Sequence, residues 1–230
     1  MTFLSAGQID EIFRCFQNAN PNPRTELAAP NPFTLLVSVV LSAQATDKSV
    51  NKATQDLYKT ADSPYKMAQL PIEELEAYIK SIGLYKSKAA HVKALSEIIA
   101  QKYGKNAGTC SYDEISANPF PRTREEFMKL PGVGRKTANV MLNVLYHQPV
   151  MPVDTHLLRL APRLGLSSAK TPEGVEKDLL EKIPAKYLHD AHHWLILHGR
   201  YICTARKPKC AECILNGICP KNGLNGNDAD

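Results

Sequence analysis

The sequence predicts an all-α protein, and three observations support this prediction. Apolar residues recur at intervals of three and four along most of the chain, as on the buried face of an amphipathic helix. Two of these segments open with a hydroxyl residue followed three positions later by Gln or Glu, at Ser5 and Thr123, which is the pattern of a capping box. No alternating segments joined by an Asn-Gly turn are present to indicate a hairpin.

The helical pattern runs from the first residues to the last cysteines. It predicts helices within residues 5–16, 71–83, 87–104, 123–130, 135–146, 153–165, 171–184 and 185–203. Residues 33–47 carry no charge before the aspartate that ends them, and their length and valines leave a strand and a fully buried helix both open.

Three other segments interrupt the helices. Residues 20–32 contain four prolines and predict an extended connection. Residues 104–122 are weakly patterned and predict an exposed loop. Pro162 predicts that the helix around it ends just before it, because the residue before a proline avoids helical geometry.

The composition is that of a globular protein. Of the 230 residues, 43% are hydrophobic and 22% are charged, which is ordinary for a chain that buries a core. The chain has no apolar run long enough for a membrane span, and its N-terminus lacks the pattern of a secretory signal. We therefore expect a cytoplasmic, nucleoid-associated protein with no membrane partner. A net charge of +5 permits a nucleic-acid partner without requiring one.

The stretch LPGVGRKTA, residues 130–138, has glycines and a Lys-Thr pair but is not a nucleotide-binding P-loop. That motif needs a glycine immediately before the lysine, another six residues before it, and a buried strand upstream. Here Arg135 and Leu130 occupy those two positions, and a helix precedes them. What remains is a helix, a turn in which Gly132 and Gly134 can take the positive φ values that a short reversal needs, and a second helix.

Such a turn offers backbone N–H groups and a helix N-terminus to an anion, and a DNA phosphodiester suits it. The spacing is equally compatible with glycines that only let two helices cross closely.

Lys136 and Asp154 are the candidates for chemistry. A cation is unfavourable in the first turn of a helix, so the field there favours the neutral amine that a Schiff-base lysine needs. A phosphate contact or a solvated lysine would also explain Lys136. Asp154 precedes an apolar periodic stretch and predicts a helix N-cap; its other interpretation is a carboxylate that stabilises a cationic sugar.

Four cysteines close together predict a metal centre. Cys203, Cys210, Cys213 and Cys219 have the spacing C-x6-C-x2-C-x5-C, which suits zinc or a 4Fe–4S cluster. The first gap carries the cations Arg206, Lys207 and Lys209. A metal-bound loop would hold them toward DNA phosphates, although a solvated charge run is the alternative.

Taken together, these motifs resemble the endonuclease III family of DNA glycosylases and abasic-site lyases. The resemblance extends from about residue 8 to residue 220. It is carried by LSAQATD (41–47), IGLYKSKA (82–89), LPGVGRKTANVMLN (130–143), VDTH (153–156), HHWLILHGRYIC (192–203) and the cysteine tail.

The resemblance implies two helical lobes with DNA bound across the cleft between them. Residues 25–148 would form a six-helix barrel that contains a helix–hairpin–helix at about 123–146. Residues 1–24 and 149–220 would form the lobe with a 4Fe–4S cluster, and 221–230 would be a flexible tail. The expected partner is duplex DNA with oxidised pyrimidines or abasic sites, and the expected state is a monomer.

The resemblance also implies roles for single residues. Lys136 matches the nucleophile that forms a Schiff base, and Asp154 matches the essential carboxylate. The hairpin residues Gly132, Val133, Gly134 and Arg135 would contact DNA. Gln44 and Leu84 match the positions that fill the gap left by an extruded base, although the sequence alone favours a polar helix end and a core leucine.

Two other functions fit part of this pattern. A monofunctional mismatch adenine glycosylase would lack the hairpin lysine and carry a glutamate where Ala43 stands. A non-catalytic DNA-binding protein would use the hairpin and metal loop only to hold phosphates, and the pairing of Lys136 with Asp154 disfavours it.

Overall fold

The computed structural model describes residues 1–224, and these residues form α-helices and two short 3-10 turns with no β-strand. The all-α prediction is confirmed. In chain order the α-helices are α1 (Ala6–Ala19), α2 (Pro32–Leu41), α3 (Asp47–Thr60), α4 (Pro64–Gln69), α5 (Ile72–Ile79), α6 (Tyr85–Tyr103), α7 (Arg124–Met128), α8 (Arg135–Tyr146), α9 (Thr155–Arg163), α10 (Pro172–Lys182) and α11 (Leu188–Tyr201).

The chain divides into two compact units. One comprises residues 26–147, and the other joins residues 1–25 to residues 148–230. The continuous unit holds α2 to α8, so the short α4 adds a seventh α-helix to the six expected there. No helix among residues 1–224 is both long and apolar enough to span a membrane.

The segment for which the sequence allowed either a strand or a helix, residues 33–47, includes nearly all of the buried helix α2. All of its residues from Pro32 to Leu41 are buried, so no polar face exists to give it a period. Asn31 begins the helix by accepting a hydrogen bond from the Thr34 N–H at 2.9 Å. Burial on every side therefore explains why the sequence alone could not decide.

The two predicted capping boxes, at Ser5 and Thr123, are both present. In the discontinuous unit α1 buries its apolar face, and the Phe16 ring stacks on Trp194 with centroids 6.4 Å apart. The Trp194 indole N–H donates to the Asn20 carbonyl at 2.8 Å. The N-terminal helix is thereby held against α11.

Residues 104–122 are not simply an exposed loop, and that prediction is wrong. They contain a 3-10 turn at Ile115–Ala117, and Ile115 and Phe120 are both buried. The Asn118 side chain accepts a hydrogen bond from the Gly108 N–H at 2.8 Å. Isolated apolar residues without a period anchor this segment, which is why the pattern did not reveal it.

Two expectations about the discontinuous unit also differ from the structure. Helix α9 continues one residue past Pro162 and ends at Arg163. Because Pro162 lies at the C-terminal end of this helix, only one further residue has to adopt helical geometry after it. Asn222 lies within the predicted tail, and its side-chain oxygen accepts a hydrogen bond from the Thr2 N–H at 2.9 Å. Its side-chain amide donates to the carbonyls of Thr2 and Pro162 at 2.7 and 3.1 Å. Residues 225–230 of that tail lie outside the described residues.

Candidate active site

The two glycines of the hairpin between α7 and α8 differ in backbone conformation. Gly132 has φ +76°, but Gly134 has φ −92° and ψ 179°, so of the two only Gly132 takes a positive φ. A Cβ on Gly132 would lie 3.0 Å from the His91 Cβ of α6, whereas one on Gly134 would meet nothing within 4 Å. Backbone and packing therefore require glycine at 132, while Gly134 leaves open space before α8.

The N-terminus of α8 has no side-chain cap, because Gly134 stands at the N-cap position. The backbone N–H groups of a first helical turn have no partner within the helix, and such an end attracts anions. Lys136 is half-buried in this turn, next to the half-buried Arg135. Val133 is buried at the tip of the hairpin and anchors it.

We expect Gly132→Ala and Gly134→Ala to separate folding from DNA binding. Gly132→Ala should lower the free energy of unfolding by about 1–2 kcal/mol or more, because alanine is strained at positive φ and meets His91. Gly134→Ala should cost less than about 1 kcal/mol, since it only worsens an N-cap. Urea unfolding and binding to an abasic-site duplex measure the two effects.

Gly134→Ala should lower the affinity for DNA while it changes the free energy of unfolding little. The added methyl group would enter the space where a phosphate would approach. A Gly134→Ala protein that binds like the wild type would contradict the assignment of this turn to DNA.

Asp154 is the N-cap of α9, as predicted, and is half-buried. Its Oδ1 accepts hydrogen bonds from the N–H groups of His156 and Leu157 at 2.8 and 3.0 Å. Oδ2 accepts neither bond. One oxygen thus holds the carboxylate in place while the other is not used by the cap.

Gln44 and Leu84 share an uncommon backbone conformation. Their φ values are +55° and +59°, and they are two of the four non-glycine residues with positive φ in the described chain. Leu84 is 66% exposed, so its interpretation as a core leucine is wrong. Gln44 is exposed as well. Non-glycine residues held in this region are strained, and such strain is concentrated at functional sites.

The four clustered cysteines line one cavity beside α9 and α11. All four are free thiols. The thiols therefore share one space in the discontinuous unit. A shared cavity lined by four thiols suits the cysteine ligands of an iron–sulfur cluster.

The surroundings of the sulfur atoms also fit a cluster. Backbone N–H groups of Leu215 and Lys221 lie 3.4 Å from the sulfurs of Cys213 and Cys219, as hydrogen bonds that tune such clusters do. Burial raises the pKa of both of these thiols, so a bound cation is needed to hold them as thiolates.

Arg163 of α9 fixes the loop that follows the first cysteine. Its guanidinium donates to the carbonyls of Thr204 and Ala205 at 2.7 and 3.0 Å, and lies 3.4 Å from the Cys203 sulfur. The side chains of Arg206, Lys207 and Lys209 are all exposed on this loop. The loop therefore presents three cations on a fixed backbone.

Arg159 and Arg163 hold the cysteine segment through hydrogen bonds that the sequence interpretation missed. Arg159 donates to the carbonyls of Gly199 and Cys203 at 2.7 and 3.2 Å, and so links α9 to α11 and to the cysteine segment. The available signal was the pair of arginines four residues apart on one face of an amphipathic helix.

Residues 37–185 match the HhH-GPD superfamily of base excision DNA repair proteins, the class that the helical fold and the glycine hairpin define. Residues 203–219 match the iron–sulfur binding domain of endonuclease III. The chain belongs to the endonuclease III family.

Individual relatives cover nearly the whole chain. Endonuclease III of Rickettsia conorii is 50% identical over 216 residues, which are 94% of this chain and 97% of the relative. Endonuclease III of Escherichia coli K12 is 45% identical over 209 residues, 91% of this chain and 93% of the relative. A solved structure of a trapped endonuclease III–DNA covalent intermediate is 40% identical, with a TM-score of 0.82 over 95% of this chain and 97% of that one.

Family membership confirms the resemblance and the class of activity. The protein is a DNA glycosylase and abasic-site lyase of base excision repair. The monofunctional adenine glycosylase and the non-catalytic DNA-binding protein are therefore excluded. The cofactor is a 4Fe–4S cluster and not zinc.

Proposed function

We propose that the protein excises oxidised pyrimidines from duplex DNA and cleaves the strand 3′ to the lesion through a Schiff base on Lys136. The observation that carries the proposal is the position of Lys136, in the first turn of an uncapped helix directly after the hairpin. A helix N-terminus disfavours the charged ammonium and thus favours the nucleophilic amine.

The reaction begins when the Lys136 Nζ attacks C1′ of the damaged nucleoside and the base leaves with its bonding electrons. The sugar ring then opens to an imine, which acidifies the C2′–H bond. Loss of that proton expels the 3′ phosphate by β-elimination. Asp154 stabilises the cationic character of the sugar and moves protons, through the oxygen that the helix cap does not use.

The remaining site residues hold the DNA. The N–H groups of the hairpin at Gly132–Arg135 bind a phosphodiester, and the exposed loop cations Arg206, Lys207 and Lys209 bind another part of the backbone. Extrusion of the damaged base costs a few kcal/mol. Gln44 and Leu84 fill the gap, since both are exposed on strained backbone and Leu84 is an apolar wedge.

In this proposal the hairpin lobe comprises residues 25–148, and the cluster lobe comprises residues 1–24 with 149–220. The cluster supplies a rigid cross-link for its lobe when it is bound, with Cys203, Cys210, Cys213 and Cys219 as its ligands. We further infer that the protein works as a monomer at the nucleoid, because one active site acting on one duplex needs no second subunit.

Borohydride trapping tests the proposal. The cluster-containing protein should form a covalent adduct with a duplex that carries an abasic site, and with one that carries an oxidised thymine. An adduct with the abasic duplex alone would support the lyase activity but contradict the proposed specificity for oxidised pyrimidines. Absence of both adducts from folded, brown protein would contradict the Schiff base itself.

The ligand assignment predicts that Cys210→Ser lowers the bound iron and the visible absorption of the purified protein. The protein should also unfold at lower temperature, because cluster binding is coupled to folding of this segment. Cys15→Ser is the matched control, since Cys15 lies on α1 outside the cysteine cavity. Equal iron content in the two variants would contradict the assignment.

A further inference from the structure

Lys88, in the second turn of α6, is buried in a way that is unusual for a lysine. The residue is 5% exposed, and its Nζ has no hydrogen-bond partner. Lysines are almost never fully buried unless they are paired, because an ammonium loses its hydration without compensation. The DNA-free protein thus keeps an unsatisfied cation inside the continuous unit.

The neighbours of Lys88 on its helix face place it between two DNA-contacting features. Leu84 stands four residues before it, and the Lys88 N–H donates to the Leu84 carbonyl at 3.0 Å. His91 stands three residues after it, and its Cβ would lie 3.0 Å from a Cβ on Gly132 of the hairpin. Residues at such spacings share one face of a helix.

The start of α6 is within reach of the Lys88 side chain. Long side chains in a helix tend to lean toward its N-terminus, over the preceding turn. Such a rotamer directs the ammonium toward the start of α6, where Leu84 provides no side-chain cap. A helix N-terminus is positive, so it makes the position of this cation still less favourable.

An anion at the start of α6 would remove both penalties. It would pair with the ammonium and accept hydrogen bonds from the first-turn N–H groups. Burial lowers the pKa of Lys88, as expected for a desolvated ammonium. The flexible four-carbon stem lets the ammonium reach a phosphate at the surface.

We propose that Lys88 and the N-terminus of α6 bind one DNA phosphodiester beside Leu84. The inference rests on the proposed function, since it takes the DNA held by the hairpin as the ligand. It adds a second anion site to the continuous unit, and it gives the buried lysine a role. The strand would then be held next to the residue that fills the gap.

The test compares Lys88→Met with Lys102→Met, which removes an exposed lysine from the other end of the same helix. Affinity for a duplex with a tetrahydrofuran abasic-site analogue is measured over a series of salt concentrations. Lys88→Met should lower the slope of log affinity against log salt by about one and weaken binding about tenfold, while Lys102→Met changes both little.

The stability of the DNA-free protein to urea is a second measurement, and Lys88→Met is not expected to lower it although the same variant lowers DNA affinity. Because methionine fills the same space without a charge, Lys88→Met should resist urea at least as well as the wild type. A structural lysine would instead give a less stable variant whose salt slope is unchanged. If methionine prevents folding, Lys88→Gln is measured in the same way.

The outcomes distinguish this inference from the proposed function. Equal salt slopes for wild type and Lys88→Met would overturn the phosphate site, while adducts trapped with the wild type would leave the Schiff base intact. Failure of the wild type to form any adduct would overturn the proposed lyase chemistry, whatever Lys88 does.

Discussion

Lys136→Gln will form no covalent adduct with abasic DNA under borohydride, although it will still bind the duplex. The amide of glutamine cannot form an imine, so the strand-cleavage rate should fall on the order of a thousandfold or more. Binding persists because the hairpin N–H groups are part of the backbone. Gel analysis of trapped adducts and titration of the same labelled duplex measure the two properties.

The same variant should fold at least as well as the wild type. Removing a cation from a helix N-terminus relieves an unfavourable interaction of about 0.3–1 kcal/mol. Lys129→Gln is the matched control, because Lys129 is an exposed lysine at the end of α7. If Lys136→Gln formed adducts at the wild-type yield, an amine other than that of Lys136 would form the imine. Loss of adducts in Lys129→Gln would likewise contradict the assignment to Lys136.

Asp154→Asn will lose base excision without losing stability, whereas Asp154→Ala will lose both. Asparagine keeps an oxygen that can cap the N–H groups of His156 and Leu157, but it carries no charge to stabilise a cationic sugar. Excision by the Asn variant should fall by about 10²–10⁴-fold. The Ala variant should also unfold about 0.5–2 kcal/mol more easily.

Thr171→Ala separates capping from catalysis in this experiment. Thr171 caps α10 by accepting a hydrogen bond from the Gly174 N–H at 3.2 Å. Its removal should cost a comparable amount of stability while excision proceeds at the wild-type rate. Full excision by Asp154→Asn would show that Asp154 is only a helix cap.

Features that depend on neighbouring residues in the chain could be predicted from the sequence. The capping boxes at Ser5 and Thr123 and the N-cap at Asp154 need only a side chain and the next turn of backbone. The helical state of α2 could not be predicted, because burial on every side removes the period that distinguishes helix from strand. The anchoring of residues 104–122 depends on distant packing, and no local pattern carries it.

The candidate site divides in the same way. The cysteine spacing and the hairpin glycines are local signals, so the grouping of the four cysteines and the glycine turn could be predicted. That a side chain at position 132 would meet His91 could not be predicted, because His91 lies more than forty residues before the turn in a different helix. The exposure of Leu84 and the burial of Lys88 follow from packing around α6 and have no local sequence signal.

The hydrogen bonds between Thr2 and Asn222 have a consequence for how the protein is made. Residues 26–147 leave the ribosome as one uninterrupted stretch, so their unit can fold while synthesis continues. The N-terminal residues must wait for position 222 before their partner exists. The cysteine segment lies just before that position, so the contacts that join it and Thr2 to the rest of their unit form only after the continuous unit can already fold.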